Sequence, residues 1–339
     1  MTAPTTELLP TAPLEAFLDA HDLGSGPLHA TRIGDGASNL TFLIERGETR
    51  VVLRRPPPPP LPPSAHDMVR EARVQVGLAR AGVRVPRILA VCEDESVIGL
   101  PFYVMEEIKG EVICEELPAA LDTPEDRRGL GFAMVDALVE LHAVDWRACG
   151  LEGLGKPSGY LERQLRRWSG LWEINATREL DACRAVGEKL AAQVPESPPT
   201  TVVHGDYRLG NVMIASDPPA RVAAILDWEM ATLGDPLADL GYFIVCWSEP
   251  GATEHPLLIS SATAQPGFAT RAELVERYAE RTGRDVSRLD WYQAFALWKA
   301  SVFCEAIYGR YLKQERDDAW AADLCDGVPR LLEVAETYL

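Results

Sequence analysis

Along the first hundred positions apolar and β-branched residues gather in short runs between turn residues, and beyond about residue 120 they recur at helical spacing. The stretch "PLEAFLDAHDL" predicts a helix closed by Gly24 and Gly26. "HATRI" follows, then the loop "GDGASN", the run "NLTFLIER", the turn "GETR" and the run "RVVLR", a pattern that predicts strands with a hairpin. "PPPPPLPPS" cannot be helix or central strand and predicts an extended connector. A helix is expected from Ser64 or Asp67 through "MVREARVQVGLARAG" with Gly82 as its stop, followed by strands in "VRVPRILAVCED" and "GLPFYVMEEIKG". The result is five strands with one helix between the third and fourth.

The later pattern is helical in "PEDRRGLGFAMVDALVELHAVD", across residues 156–195, in "RAELVERYAERTG" and in "WYQAFALWKASVFCEAIYGRYL". Between these lies a small hairpin, "NVMI", turn "ASDPPA" and "RVAAILDW". At 339 residues the chain exceeds what one core usually fills. The change of texture places the division near residue 105, between a β-rich unit over 1–105 and a mainly helical unit over 106–339.

Composition narrows the classes. Net charge is −18: residues 1–105 carry 10 basic and 12 acidic side chains, and 106–339 carry 23 and 39. Such a field opposes lasting contact with nucleic acid or an anionic membrane, and an acidic second unit would favour a cationic substrate if it is more than a solubility surface. No run of eighteen apolar residues is present and the start, "MTAPTTELLPTAPLEAFLDA", has no basic n-region or apolar h-region, which predicts neither membrane insertion nor export and a cytoplasmic location. Seven scattered cysteines without a Cys-x-x-Cys pair predict reduced thiols and no zinc site.

The chemistry concentrates in "TVVHGDYRLGNVMI", residues 201–214. Asp206 lies in the loop leaving an apolar strand, Asn211 opens the hairpin, and Asp227 ends it, so three oxygen-bearing side chains converge at one end of that hairpin. Hard oxygen ligands suit Mg²⁺, which takes its remaining ligands from water and phosphate. An Asp free of the metal could accept a hydroxyl proton. His-x-Asp-x-x-x-x-Asn with a following strand-borne Asp is also the spacing of a kinase catalytic loop. Taken singly, Asp206 is ordinary turn chemistry and Asn211 an ordinary cap; the three together predict phosphoryl transfer.

"HGDYRLGNVMI" with "AILDWEMATLGDPLADLGYF" resembles the aminoglycoside phosphotransferase and choline kinase superfamily, the small-molecule branch of the protein-kinase-like fold. Gly205 in place of Arg, and Asp-Trp-Glu in place of Asp-Phe-Gly, are typical of it. The resemblance spans about residues 30–312. It implies an α+β, two-lobed fold: a small antiparallel sheet with one helix as the nucleotide-binding lobe, and a larger helical lobe for catalysis and substrate. It further implies Asp206 as base, Asn211 and Asp227 as Mg²⁺ ligands, and ATP, with GTP as an alternative, as donor. The loop residues Gly34, Gly36, Ser38 and Asn39 would cover the phosphates, although G-x-G-x-x-G is incomplete. In "VVLRR" Arg54 stands where the family has Lys, and Glu71 matches the acid that pairs with it. The segment joining the lobes would offer backbone groups of Glu106 to Ile108 to a purine. "VVLRRPP" is similar to the kinase domains fused to acyl-CoA dehydrogenases, which implies a hydroxyacyl metabolite as acceptor where the superfamily label implies an aminoglycoside.

His204 is expected to hold the loop by hydrogen bonds, Glu229 to touch a second metal or its waters, and Asp235 and Asp239 to cap a helix, Asp239 also reaching the loop's backbone N–H groups. Trp291, Phe295, Trp298 and Val302 form a helical stripe that reads as core, or with Tyr308 as an acceptor pocket. The alternative to an enzyme is a catalytically weak, kinase-like module that binds nucleotide or metabolite.

Overall fold

The computed structural model describes residues 5–34, 39–61 and 66–339. Two short helices, α1 (Thr5–Leu8) and α2 (Thr11–Ala20), precede β1 (His29–Ile33), β2 (Leu40–Arg46) and β3 (Thr49–Arg55). Helix α3 (Met68–Arg80) then leads to β4 (Ile88–Cys92) and β5 (Phe102–Glu106). The five strands pair antiparallel in the order β1-β2-β3-β5-β4, with β2 and β3 as the hairpin that the turn pattern predicts and β5 inserted between β3 and β4. Asp67 caps α3 by accepting from the Arg70 N–H at 2.9 Å, and Gly82 follows its end in the left-handed region.

Strand alternation sorts the sheet's two faces. Val51 and Leu53 join Phe42, Ile44, Phe102 and Val104 in a core covered by Leu14 and Leu18 of α2. Val52 points the other way and meets Met68 and Ala72 of α3 together with Tyr103 and Met105. Arg54, two residues beyond Val52, therefore lies on the α3 side, opposite Tyr103 in the β3–β5 register.

The remainder is mainly helical. After β6 (Glu111–Val112) come α4 (Pro124–His142), α5 (Tyr160–Asn175) and α6 (Asp181–Ala192), so the predicted helical stretch over 156–195 is two helices with a break at 176–180. Strands β7 (Thr201–Val203), β8 (Val212–Ile214), β9 (Val222–Ile225) and β10 (Thr232–Gly234) follow, with β8 and β9 as the expected hairpin and β10 pairing back onto β7. The chain ends in α7 (Pro236–Cys246), α8 (Arg271–Thr282), α9 (Leu289–Leu312) and α10 (Ala319–Glu336). Trp291, Phe295, Trp298 and Val302 are at most 3% exposed, and the stripe is core. The indole N–H groups of Trp291 and Trp298 donate to the Leu190 and Cys183 carbonyls at 3.1 and 2.9 Å, which ties α9 to α6. No helix among the described residues is long and apolar enough to cross a membrane.

Helix α7 meets α9 where glycine is required. A Cβ on Gly241 would lie 2.7 Å from the Tyr292 Cβ and 2.9 Å from its carbonyl oxygen. Gly241→Ala should destabilise the protein by about 1–3 kcal/mol. Gly129, inside α4 with nothing within 4 Å of an added Cβ, is the control: Gly129→Ala should stabilise by roughly 0.5–1 kcal/mol. Urea unfolding of both variants measures the contrast.

Candidate functional site

The loop after β7 is held from below by a buried carboxylate. Asp239, on the first turn of α7 and 1% exposed, accepts hydrogen bonds from the backbone N–H of His204 at 2.6 Å and of Gly205 at 2.8 Å. It also takes one from His142 Nε2 at 3.3 Å, while the Tyr278 hydroxyl donates to His142 Nδ1 at 2.7 Å. Burial works to raise the Asp239 carboxyl's pKa, but the hydrogen bond from His142, the neighbouring His142 and His204 rings and the Gly205 N–H hold it below its ordinary value. His142 is pushed down by burial and stays neutral. Asp235 caps α7 as predicted, accepting from the Leu237 N–H at 2.9 Å.

Above this anchor the loop turns sharply. Gly205 has φ of +88°, and a Cβ there would come within 2.9 Å of both the Met230 Cβ and its carbonyl oxygen. No other residue fits between the loop and the Asp-Trp-Glu segment, which explains Gly205. His204 is buried; its Nε2 donates to the Leu226 carbonyl at 2.8 Å and its Nδ1 accepts from the Asp206 N–H at 3.2 Å. With both nitrogens committed, His204 is a structural residue of the loop.

Asp206 and Asn211 come together directly. Asn211 Nδ2 donates to Asp206 Oδ2 at 2.6 Å and to the Asp206 carbonyl at 2.9 Å, and the Asn211 Oδ1 makes no hydrogen bond among the described residues. Arg208 Nε lies 3.4 Å from the other Asp206 oxygen, Oδ1. Asp206 keeps 27% of its side chain exposed, so its carboxylate is reachable. Asp227 follows β9 with a left-handed backbone, φ 63° and ψ 66°, uncommon for a residue with a Cβ. Behind it the Trp228 indole is buried and donates to the Ile225 carbonyl at 3.0 Å.

Arg54 reaches this segment from the sheet. Its Nη2 is 2.5 Å from Asp227 Oδ1 and its Nε is 3.1 Å from Glu71 Oε1, so one guanidinium joins β3, α3 and the Asp-Trp-Glu segment. Tyr103 donates to Glu71 Oε1 at 2.9 Å and Gln75 donates to Tyr103 at 3.1 Å. Burial pushes the Glu71 carboxyl up to about 7, with Arg54 pulling it down and Asp227 adding to the rise. Within this cluster Arg54 Nε and Glu71 Oε2 are buried without a hydrogen bond among the described residues.

Of the predicted phosphate-covering loop, Gly34 follows β1 with φ of +73°, and Asn39 is buried. Asn39 Nδ2 donates to Glu229 Oε2 at 3.0 Å, and His66 Nδ1 donates to Asn39 Oδ1 at 2.8 Å. The loop's far end is thereby tied to the Asp-Trp-Glu segment. Gly36 and Ser38 lie outside the described residues. At the end of β5 the Glu106 N–H already donates to the Arg87 carbonyl at 2.9 Å, leaving the Glu106 carbonyl and the Ile108 N–H as the groups on offer there. Among the described residues no three His, Cys, Asp or Glu side chains group closely enough to hold a metal ion. A divalent cation here would have to draw on Asn211 Oδ1, Asp227 and the oxygens of its own substrate.

The structure brings the expected Asp206 and Asn211 together, and Arg54, Glu71 and Asp227 together, and adds Tyr103, His66 and Arg208 around them. Tyr103 and His66 have no spacing signal, since a strand register and a loop bring them in. Arg208 sits inside the quoted motif and was passed over because the motif spacing assigns it no role.

The two buried groups at the anchor set an acid limit. His142 is held neutral below its ordinary value of 6.5 and Asp239 ionised below its ordinary 3.8. The unfolded chain binds more protons than the folded one as pH falls through 6.5 and again through 3.8, so stability should decline in both windows. Asp239→Asn should lose roughly 3 kcal/mol at pH 7 and reduce the decline in the lower window, where other carboxylates held below their ordinary values still titrate. Asp206→Asn, at a part-exposed site, should stay within about 1 kcal/mol of the parent. Chemical denaturation across pH 3–8 reads all three.

A family model described as the phosphotransferase enzyme family matches residues 29–294. Mouse acyl-CoA dehydrogenase family member 10 is 33% identical over 312 residues, covering 91% of this chain and 29% of the mouse protein. The family member 11 protein of Pongo abelii is 33% identical over 307 residues, covering 88% of this chain and 39% of its own length. The chain thus spans well under half the length of these curated relatives. A crystal structure from Ralstonia eutropha JMP134, provisionally named an aminoglycoside phosphotransferase, superposes with a TM-score of 0.80 at 31% identity, covering 96% of this chain and 98% of that one. A ternary complex of a thermostable aminoglycoside phosphotransferase APH(4)-Ia mutant with AMP-PNP and hygromycin B gives 0.63 at 16% identity, with 96% and 99% covered. The second likeness concerns the fold alone, and the fold is α+β and protein-kinase-like. By sequence and architecture together, the chain belongs to the phosphotransferase enzyme family, in a branch shared with acyl-CoA dehydrogenase family members 10 and 11.

Proposed function

We propose that this chain is a Mg²⁺- and ATP-dependent small-molecule kinase that transfers the γ-phosphoryl group to a substrate hydroxyl. The observation that carries the reading is the Asp206–Asn211 pair, one carboxylate oxygen held at 2.6 Å by an amide whose own oxygen stays available, in a loop anchored by Asp239. Such a pair separates the two tasks of a kinase loop, a base and a ligand.

In this reading residues 1–105 bind the nucleotide and 106–339 bind the acceptor and carry the chemistry. Asn211 and Asp227 hold Mg²⁺, which when bound neutralises charge on the phosphates; the donor set of amide and carboxylate oxygen fits that ion. Arg54 turns from Asp227 toward phosphate, with Glu71 keeping it in place. Gly34, Gly36, Ser38 and Asn39 close over the phosphates, and Glu106 and Ile108 offer a carbonyl and an N–H to the purine. Asp206 accepts the proton of the acceptor hydroxyl as its oxygen bonds to the γ-phosphorus. The bond between that phosphorus and the β–γ bridging oxygen breaks, and ADP leaves. The acceptor is a small hydroxylated molecule: names among the relatives and solved structures point either to an acyl metabolite or to an aminoglycoside. GTP is the alternative donor.

Mg·ATP at a hundred times its dissociation constant should add about 2.7 kcal/mol of stability. Asp227→Ala should abolish that gain. Asp206→Asn should retain it while lowering kcat on the order of 10²–10⁴-fold. Thermal unfolding with and without Mg·ATP and Mg·GTP, followed by transfer of labelled phosphate, reads these outcomes. No stabilisation by either nucleotide defeats the proposal, and stabilisation without transfer leaves the binding-module alternative.

A further inference from the structure

Three side chains from residues 39–70 hold the Asp-Trp-Glu segment, and they differ in kind. Arg54 meets the Asp227 carboxylate and Asn39 meets the Glu229 carboxylate, both contacts between side chains. The third is Arg70, on the first turn of α3 beside Glu71. Its Nη1 donates to the Glu229 carbonyl at 3.3 Å and its Nη2 to the Ala231 carbonyl. One planar fork thus takes two backbone acceptors, and the two flank Met230.

Several constraints meet at Met230. It ends a single 3₁₀ turn, Trp228–Met230, closed by the Ala231 N–H donating to the Trp228 carbonyl at 3.1 Å, and a turn that short holds its own end weakly. A Cβ on Gly205 would lie 2.9 Å from the Met230 Cβ and carbonyl oxygen, so the segment and the loop of Asp206 touch here. Thr232 then pairs with Val203, the residue before His204. Asp227 lies three positions upstream. Arg70 therefore fixes, at one point, the chain that carries the candidate metal ligand against the chain that carries the candidate base. The clamp starts from a capped helix end, since the Arg70 N–H donates to Asp67 at 2.9 Å.

Arg70 is half-buried and makes no ion pair among the described residues. A guanidinium drawn partly off water toward uncharged carbonyls gains less than one that meets a carboxylate. An arginine serving only α3 would turn its head to solvent or to Asp67 three positions back. The choice of acceptor also matters. Phosphate competes with Asp227 for Arg54, and a metal ion competes with Arg54 for Asp227, whereas backbone carbonyls turned toward α3 are not exchanged when ligands arrive.

We propose that Arg70 is a positioning residue of this site: it docks α3 on the Asp-Trp-Glu backbone, so that Asp227 and Asp206 keep their separation while Arg54 and Asn39 exchange partners for metal and nucleotide. It acts through Asp227 and touches neither phosphate nor acceptor. The inference rests on the Mg²⁺-dependent kinase reading for what the segment holds; the docking itself does not require turnover.

Three readouts on the full chain test it, with Arg70→Met set against Arg73→Met. Arg73, one turn further along α3, is exposed and donates to the Gly150 carbonyl at 3.3 Å, a bond of the same kind made to another part of the chain. In the ligand-free protein, Arg70→Met should speed amide hydrogen exchange at least several-fold in peptides covering 227–234, and Arg73→Met should not. In calorimetric titrations with AMP-PNP, the gain in affinity that Mg²⁺ gives over EDTA should shrink on the order of 10-fold in Arg70→Met, with metal-free affinity unchanged. Arg70→Lys, which keeps a cationic donor without the fork, should fall between the two. Release of labelled phosphate from ATP, which needs no acceptor but water, should show a lower kcat in Arg70→Met with a much smaller change in KM at saturating Mg²⁺. An Arg70→Met protein that keeps the parent's Mg²⁺ gain overturns the inference. So does an equal loss of metal-free affinity, or the same loss in Arg73→Met, since either marks general destabilisation. A Mg²⁺ gain that Arg70→Met loses, in a parent that releases no phosphate, leaves the positioning role standing and removes the kinase reading. Phosphate release and a Mg²⁺ gain both indifferent to Arg70→Met do the reverse, and a parent with no Mg²⁺ gain defeats both.

Discussion

A carboxylate buried to 1% exposure has to be surrounded by donors, and much of this molecule is arranged around that demand at Asp239. Two of the donors are consecutive backbone N–H groups, those of His204 and Gly205, so satisfying the charge also fixes the path of the loop that carries Asp206. A third is His142 at the end of α4, oriented by Tyr278 of α8. One buried charge thereby sets three helices and one loop relative to each other. His204 continues the arrangement by tying the loop to the Leu226 carbonyl just before Asp227.

A second buried charge does the same for the sheet. Arg54 emerges from β3 on the face that strand alternation assigns to α3, meets Glu71 there, and spans to Asp227. Arg54 holds a planar fork where a lysine would present a point charge, and the fork is what lets one side chain serve two carboxylates at different angles. Neither Arg54 Nε nor Glu71 Oε2 completes a hydrogen bond, so the contact is loosely satisfied and open to rearrangement when a phosphate competes for the guanidinium.

Net charge and local charge point in opposite directions. The excess of acid falls in residues 106–339, while Arg208 lies 3.4 Å from Asp206 itself. A global field acts on approach and solubility; a few ångströms decide recognition. The surroundings of Asp206 are therefore read from the cation beside it rather than from the sum of charges.

The five strands of the first sheet, the single helix after β3, the β8–β9 hairpin and the Asp235 cap were legible in the sequence because each follows from local pattern: short apolar runs, turn residues at fixed offsets, a capping side chain before an apolar run. Asp206, Asn211, Asp227, Arg54 and Glu71 were legible because a motif preserves spacing, and the fold brings them into the two clusters described above. Helix α10 was not anticipated, since Gly327 and Pro329 interrupt its pattern and packing against α9 overrides them. The β10–β7 ribbon joins segments about thirty residues apart, which no local pattern records. Tyr103 enters the Glu71 contact through strand register, and Tyr292 reaches Asp235 because Gly241 lets α9 approach α7 closely. The sequence by itself determined which side-chain types stand at which spacing, since both are local; only the tertiary structure decided which of them meet, because that depends on what the rest of the chain brings within reach.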